Sequence, residues 1–361
     1  MSSAPASTSR GSSLPAESAR HRGALAVWLL LIAYASLYPF LPLRWPGPDA
    51  FAVFLRPKVF LEFDVVLNML AYAPLGALAW LAQRGRHGRW PRQAVAVGAC
   101  AAFSLAMELC QAFVTTRVPS LYDVLANATG ALAGTLPFTQ PAYRLATRPL
   151  VQARERLVTA GSWGDAGLML VALWLLAQLN PALPFFEAGN IGTGGAPDPH
   201  EFAVTATSVA LSVAGFGLFV SAVLKGPGGA LRWTLLLLTV ALWCKFAMAS
   251  VMLKPHLTAN WVTEGRVAGL VAGILAFAPL RGVQRSGRIY LALVLTLAGA
   301  LFAKIFGAYS ALGDFLRLFH WPHGQLATFA TLTRWIHEAW PALALAWLIA
   351  LFVRRRDEPI Q

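Results

Sequence analysis

Charged residues are scarce in this chain. Only 12% of its 361 residues are Asp, Glu, Lys or Arg, whereas an ordinary soluble domain carries roughly 25%. Cysteine is scarcer, with three residues and no Cys-x-x-Cys pair. These shortages exclude a soluble enzyme, a disulfide-stapled secreted module and a cysteine-based zinc site. Apolar side chains make up 57% of the chain and predict an all-α, polytopic transmembrane helical bundle.

Several motifs of well-known enzyme classes are also missing. The sequence has no nucleotide-binding loop, no Gly-x-Ser-x-Gly elbow and no His-Glu-x-x-His pair. ATP-driven transport and serine or zinc hydrolysis by this chain alone are therefore not expected. His320 and His323 could pair on a metal, but Pro322 between them argues against a regular helix. We predict no metal site and no cofactor.

Apolar runs of membrane length recur along the chain. We predict about ten spans, at 24–41, 66–82, 94–114, 121–138, 166–187, 202–224, 233–253, 267–280, 289–309 and 338–353. A basic connection separates the first four spans from the last six. The predicted organisation is a disordered tail at 1–22, a four-helix membrane domain at 23–138, a basic cytoplasmic linker at 139–165, a six-span domain at 166–353 and a cytoplasmic tail at 354–361.

The net charge of +13 indicates how the chain is oriented in the membrane. If the N-terminus is cytoplasmic, nineteen Lys and Arg residues lie on the cytoplasmic side and eight on the outer side. This distribution follows the positive-inside rule and places both termini in the cytoplasm. Nucleic acid is not an expected partner because the basic residues are scattered through short loops. The first span also resembles a cleavable signal peptide, but its apolar run continues, so a retained helix is favoured.

Polar side chains in spans two, three and four occur in pairs. The pairs are Asp64 with Asn68, Glu108 with Gln111, and Asp123 with Asn127. Spacings of three and four residues place the members of each pair on one helix face, and the alternating direction of the spans brings all three pairs to the outer end. Arg117, in the loop between spans three and four, can reach them. Because ionisable groups at membrane depth are costly, we predict a shared outer-facing polar site.

The predicted site has an excess of negative charge. The three acids and the single arginine leave a net charge of −2 if all are ionised, which is unfavourable under partial desolvation. A protonated Glu108, a bound cation or a ligand with an amine would relieve it, and we favour protonation because Glu108 is the deepest acid. We predict Glu108 as a general acid or base, oriented by Asp64 or Asp123.

The remaining polar residues of the site suit ligand binding. Arg117 would hold an anionic group such as phosphate, and the amides of Asn68, Gln111 and Asn127 would hydrogen-bond a sugar or peptide. An interhelical hydrogen-bond cluster that only fixes packing explains the same residues. Both interpretations stay open at this point.

Residues 24–138 resemble the VanZ-like family of bacterial membrane proteins. The resemblance is carried by Asp64-x-x-x-Asn68, Pro74-x-Gly76, Glu108-x-x-Gln111, Arg117, Asp123-x-x-x-Asn127 and Gly130-x-x-x-Gly134. It implies a multi-pass protein of the bacterial inner membrane, associated with the cell envelope. The family's namesake is linked to low-level resistance to the glycopeptide antibiotic teicoplanin. The resemblance supplies no catalytic residues and does not extend to the last six spans.

Three functions fit these observations. The first is binding, or modification, of a lipid-linked or exported cell-wall or polysaccharide component. The second is proton- or ion-coupled transport, and the third is a non-catalytic assembly or scaffold role. Whether the chain is an enzyme stays open, and partner proteins are not predictable; the lipid bilayer is its expected surrounding.

The last six spans contain two lysines and a ladder of glycines. Lys245 and Lys304 lie in the outer halves of their spans, where lysine side chains commonly extend to the membrane interface. An ion pair of either lysine with Glu264 is the alternative. Gly265, Gly269 and Gly273, like Gly130 and Gly134 before them, are spaced as a small-residue face. We interpret these faces as sites of close helix packing.

Overall fold

The computed structural model describes residues 14–38, 40–56, 62–83, 88–186, 199–306, 317–319 and 324–356. Across these ranges the chain is helical and contains no β-strand, which confirms the all-α prediction. The chain divides into two compact units, Met1–Pro149 (unit 1) and Leu150–Gln361 (unit 2). The division falls at residues 149 and 150, within the helix Pro141–Leu157.

The described residues form twelve α-helices. Unit 1 contains α1 (Leu14–Leu37), α2 (Ala50–Leu55), α3 (Glu62–Ala82), α4 (Arg89–Gln111) and α5 (Leu121–Thr139), and α6 (Pro141–Leu157) passes into unit 2. Unit 2 continues with α7 (Ser162–Gln178), α8 (Pro199–Val223), α9 (Ala230–Met252), α10 (Glu264–Leu280), α11 (Arg285–Phe306) and α12 (Gly324–Arg356).

Each of the ten predicted spans corresponds to one of these helices. Six of them, α3, α4, α8, α9, α11 and α12, are long and apolar enough to cross a membrane. The other four are α1, α5, α7 and α10. The apolar part of α1 covers only His21–Leu37, α7 and α10 have 17 residues each, and polar side chains lower the hydropathy of α5.

Helices with few apolar residues account for the differences from the predicted boundaries. Residues 14–22 belong to α1 rather than to the predicted tail, and residues 1–13 lie outside the described part of the chain. The predicted linker contains α6, and α12 begins at Gly324, well before the predicted span at 338. Hydropathy does not detect such segments because their helical structure does not depend on a continuous apolar run.

Glycines let α3 and α5 pack closely in unit 1. A Cβ atom on Gly130 would overlap the backbone of Met69, and one on Gly134 would overlap the carbonyl oxygen of Ala73. Gly76 on α3 meets Ala131 on α5 in the same way. Residue numbers on α3 and α5 increase together from the first contact, Met69 with Gly130, to the second, Ala73 with Gly134, so the two helices run parallel. The predicted close-packing face is confirmed at these positions.

The same arrangement recurs between α8 and α10 in unit 2. A Cβ atom on Gly269 would lie 2.5 Å from the carbonyl oxygen of Ala206, and one on Gly273 would lie 2.7 Å from that of Ala210. Thirteen residues of α8 are buried, so this helix is the centre of unit 2. Its aromatic side chains pack on neighbouring helices; the rings of Phe216 and Trp174 stack at 4.1 Å.

A buried lysine joins α9 to the segment that follows α7. Lys245 has no exposed surface, and its Nζ donates to the carbonyl oxygens of Asn180 at 3.1 Å and Leu183 at 2.8 Å. The expectation that Lys245 extends to the interface is therefore wrong. The ammonium group instead donates hydrogen bonds to main-chain carbonyls of the buried segment that follows the end of α7.

Candidate functional site

Three helix faces supply the polar residues of unit 1. The face of α3 carries Asp64, Asn68 and Tyr72, that of α4 carries Ser104, Glu108 and Gln111, and that of α5 carries Asp123 and Asn127. Residues spaced by three or four positions lie above one another on a helix. Because α5 packs on both α3 and α4, these faces meet where α3 begins, α4 ends and α5 begins.

Glu108 connects the end of α4 to the start of α5. Glu108 is only 3% exposed, and its Oε2 accepts a hydrogen bond from the backbone N–H of Ser120 at 2.8 Å. Ser120 is the residue that precedes the first turn of α5. A carboxylate at this position satisfies an N–H group that has no partner within the helix and lies at the positive end of the helix dipole.

Two further acids belong to the same group of interacting charges. Asp123 is in the first turn of α5 and is half-buried, as is Asp64 on α3. The charge of Asp123 acts on both Asp64 and Glu108, and that of Arg117 acts on all three acids. We call these four residues the acidic cluster. Although their charges interact, the described residues include no group of three or more His, Cys, Asp or Glu side chains that could hold a metal ion.

Arg117 fastens the α4–α5 loop to the end of α1. Its Nε donates to the carbonyl oxygen of Tyr38 at 3.1 Å, and its Nη2 donates to those of Tyr38 and Ala35, both at 2.9 Å. Carbonyls in the last turn of a helix have no partner within the helix, so the guanidinium caps α1. Burial lowers the pKa of Arg117 from its ordinary value, and the three neighbouring carboxyl groups oppose that shift.

Main-chain pairing holds the same loop on its other side. The N–H of Arg44 donates to the carbonyl oxygen of Phe113 at 2.7 Å, and the N–H of Thr115 donates to that of Pro42 at 3.2 Å. Leu43 and Val114 form an isolated β-bridge between these bonds. The loop that carries Arg117 is thus held against the segment that follows α1.

The amides of the site are only partly satisfied. Asn127 is buried, and its Nδ2 donates to Ser104 Oγ at 2.8 Å, but its Oδ1 has no partner among the described residues. Asn68 lies beside the carboxyl group of Asp123, although its Nδ2 reaches no acceptor in hydrogen-bond geometry within the described residues. Gln111, the third predicted amide, is buried one turn beyond Glu108. As far as the structure describes the chain, the site therefore contains one donor and one acceptor that no protein group satisfies.

Three residues near the site were not singled out from the sequence. Ser120 contacts Glu108 through its backbone N–H, so no pattern of side chains in the sequence predicts this contact. Ser104 and Tyr72 do have a signal. Ser104 lies four residues before Glu108 and Tyr72 lies four residues after Asn68, and the two side chains lie close enough to influence each other. Extending each predicted pair by one helical turn would have found both.

A separate polar contact lies at the opposite end of α4 and α5. Gln93 Nε2 donates to Thr135 Oγ1 at 2.8 Å and to Thr139 Oγ1 at 3.4 Å. Between this contact and Ser104, the buried residues of α4 are Ala96 and Cys100. The buried face of α4 is therefore polar at both ends and apolar in the middle.

A family comparison covers this unit. Residues 15–140 match the model of the VanZ/LLP1 family. Residues 15–140 form a VanZ-like domain. This domain contains α1 to α5 and with them the whole acidic cluster and its amides; the rest of the chain is a helical region outside the match. No curated protein and no solved structure matches the chain significantly.

Proposed function

We propose that the acidic cluster and its amides form a site on the outer side of the bacterial inner membrane that binds a lipid-linked or exported component of the cell wall or an envelope polysaccharide. The observation that carries the proposal is Glu108, a nearly fully buried acid that interacts with the charges of Asp123 and Arg117. It belongs to a site whose amides keep hydrogen-bonding atoms without a partner among the described residues. Such a set is costly at membrane depth and needs a compensating partner.

The charge of the cluster indicates which part of a ligand it recognises. Three acids outnumber one arginine, so hydroxyl and amine groups of a sugar or peptide suit the site better than a second anion. Arg117 already donates to the carbonyls of Ala35 and Tyr38. We therefore propose a positioning role for Arg117 and assign recognition to Glu108, Asp123 and the amides.

The proposed orientation follows from the positive-inside distribution of Lys and Arg in the sequence. With both termini in the cytoplasm, the start of α3, the end of α4 and the start of α5 face the periplasm. A ligand that has been exported can then reach the half-buried Asp64 and Asp123. We further propose that occupancy of the site changes susceptibility to teicoplanin, as for the namesake of the VanZ-like family.

Isosteric variants of the acids test this proposal. Glu108→Gln and Asp123→Asn keep the shape of each side chain and remove its charge. In a deletion strain, we expect both variants to be present in the membrane at the normal level and to fail to restore the envelope lipids and glycans that the wild-type protein restores. Glu155→Gln, an exposed acid of unit 2, is the matched control and should restore them.

Three outcomes separate the candidate functions. A fall in protein abundance in parallel with activity would contradict binding and favour a scaffold role. Full restoration by Glu108→Gln would remove this residue from the site. If the site catalyses a reaction, we expect the Glu108→Gln variant to bind the ligand without converting it. The variant loses a general acid or base but keeps the shape of the side chain and its ability to form hydrogen bonds.

Transport is the second candidate, and one contact favours it. The bond from Gln93 to Thr135 places polar groups at the far end of the α4–α5 interface. The apolar stretch at Ala96 and Cys100 interrupts a continuous polar path. Proton-driven uptake of a labelled solute into vesicles that contain the purified protein would favour transport over binding.

A further inference from the structure

A groove in unit 2 lies outside the VanZ-like domain. Its cavity of about 560 Å³ is lined by side chains of α7, α8, α11 and α12, and this volume falls within the roughly 300–1,000 Å³ that small-molecule sites occupy. Aromatic rings of Trp174, Phe186 and Trp340 form part of the wall, and Leu297, Ala300 and Leu301 of α11 form another. We call this cavity the α11 groove.

The α11 groove is lined in part by leucines that are exposed on the surface of α11. Leu297 is 46% exposed and Leu301 is 50% exposed, although both line the groove. Helix α11 is long and apolar enough to cross a membrane, so exposed leucines in the middle of it face hydrocarbon. An acyl chain is the natural occupant of an apolar groove with this opening.

The charged side chains along the groove indicate which lipid headgroup it would bind. Lys304 lines the groove near the end of α11 and is exposed. Glu338, the acid of the lining, pairs with Arg334 at 2.9 Å, and within the described residues no carboxylate pairs with Lys304. The ammonium group therefore remains available for an anion, and phosphate is the anion that lysine commonly binds.

We propose that the α11 groove binds one molecule of an anionic membrane phospholipid. The acyl chain lies along α11 from Leu301 towards Thr296, and the phosphate group contacts Lys304. From Thr296 to Lys304 the helix rises about 12 Å, at roughly 1.5 Å per residue, which gives the chain a defined length of apolar wall. This site goes beyond the function proposed for unit 1 and does not depend on it.

Lipid binding to the purified full-length protein tests the proposal. Native mass spectrometry with phosphatidylglycerol and with phosphatidylcholine of identical chains reports which lipid is retained. We expect retention of one phosphatidylglycerol molecule per chain and weaker retention of phosphatidylcholine. Lys304→Gln should reduce the preference about fivefold, the effect of one basic side chain on an anionic lipid. Lys254→Gln, a matched lysine outside the groove, should leave the preference unchanged.

A second pair of variants tests the position of the acyl chain. Ala300→Phe fills the groove and should weaken binding of both lipids by at least about fivefold, because the ring occupies the volume of the chain. Ala247→Phe, at an exposed alanine of α9, should have no effect. Equal losses for both phenylalanine variants, or no loss for Ala300→Phe, would overturn the proposal. Unfolding curves confirm that each variant is folded.

Thr296 tests the chemistry at the deep end of the groove. The residue is 6% exposed, and its hydroxyl has no hydrogen-bond partner among the described residues. If hydrocarbon lies there, Thr296→Val keeps the shape and removes an unsatisfied hydroxyl, so lipid binding should be equal or stronger. Weaker binding would show that the occupant carries a polar group at this depth and would overturn an acyl chain.

A helix of another protein is the competing occupant. A photoreactive amino acid at position 301, activated in native membranes, should form adducts with lipid. Adducts with a polypeptide in place of lipid would overturn the proposal and assign the groove to a protein partner.

Discussion

The two units share a way of packing helices and differ in how completely their buried asparagines are hydrogen-bonded. In unit 1, Gly130 and Gly134 let α5 run against α3, and in unit 2 Gly269 and Gly273 let α10 run against α8. In each case small residues allow two parallel helices to approach through their backbones. The close packing therefore carries no information about which unit contains a site.

Individual asparagines do distinguish the units. In unit 2, Asn180 Nδ2 donates to Ala330 and Thr333, its Oδ1 accepts the N–H of Ala182, and its carbonyl accepts from Lys245. In unit 1, the amides of Asn68 and Asn127 each keep an atom without a partner in the part of the chain that the structure describes, and carboxyl groups are in excess. A satisfied network fixes a structure, whereas a partly satisfied one is available to a ligand.

The largest expected effect is at the buried lysine of unit 2. Lys245→Met should lower the free energy of unfolding by about 2–4 kcal/mol, because two buried carbonyls lose their donor at roughly 1–3 kcal/mol each. Denaturant titration in mixed micelles measures this. Lys304→Met, at an exposed lysine, should change the value by less than about 0.5 kcal/mol. Similar values for the two variants would contradict a capping role for Lys245.

The next effect concerns close packing in unit 1. Gly134→Ala adds a methyl group that overlaps the carbonyl oxygen of Ala73 and should destabilise the protein by about 1–3 kcal/mol, as overpacking does. Gly98→Ala lies on α4 with open space around it and should be neutral or slightly stabilising. Thermal unfolding of the two purified variants checks the difference, and a tolerated Gly134→Ala would mean that the helices separate easily.

The smallest expected effect on stability is that of Asn127→Leu, measured against Asn180→Leu. Asn180→Leu removes a side chain with several partners and should destabilise by about 2–3 kcal/mol. Asn127→Leu removes one hydrogen bond and an oxygen that had none, so the loss should be about 1 kcal/mol or less. Activity should follow the opposite order, with Asn127→Leu inactive at normal abundance. Equal destabilisation would indicate that both asparagines serve packing.

Sequence patterns predicted the helices well where a continuous apolar run marks them. Each of the ten predicted spans overlaps one helix, because burial in lipid and the helical hydrogen-bond pattern leave few alternatives for such runs. The first half of α12 and all of α6 were not predicted, since their polar residues interrupt the apolar signal. Boundaries in these segments depend on tertiary contacts that no local pattern contains.

Part of the candidate site was predictable as well, because regular helices fix which side chains share a face. Helical spacing and the alternating direction of spans predicted Glu108, Asp123 and Asp64 at one end, and in the structure the charge of Asp123 interacts with those of Asp64 and Glu108. The bonds from Arg117 to Tyr38 could not be predicted, because they depend on where α1 ends. Lys245 was misjudged for the same reason: its partners are carbonyls of a buried segment with no sequence signature.

Chemical labelling of position 123 tests most directly whether the acidic cluster is an outward-facing site. In a variant without the native cysteines, Asp123→Cys should react with a membrane-impermeant maleimide in cells whose inner membrane is intact, since the side chain is half-buried and faces the periplasm in the proposed orientation. Thr135→Cys, buried at the other end of α5, should stay unlabelled. Labelling of Cys at position 123 only after the inner membrane is opened, or no labelling at all, would contradict an outer site.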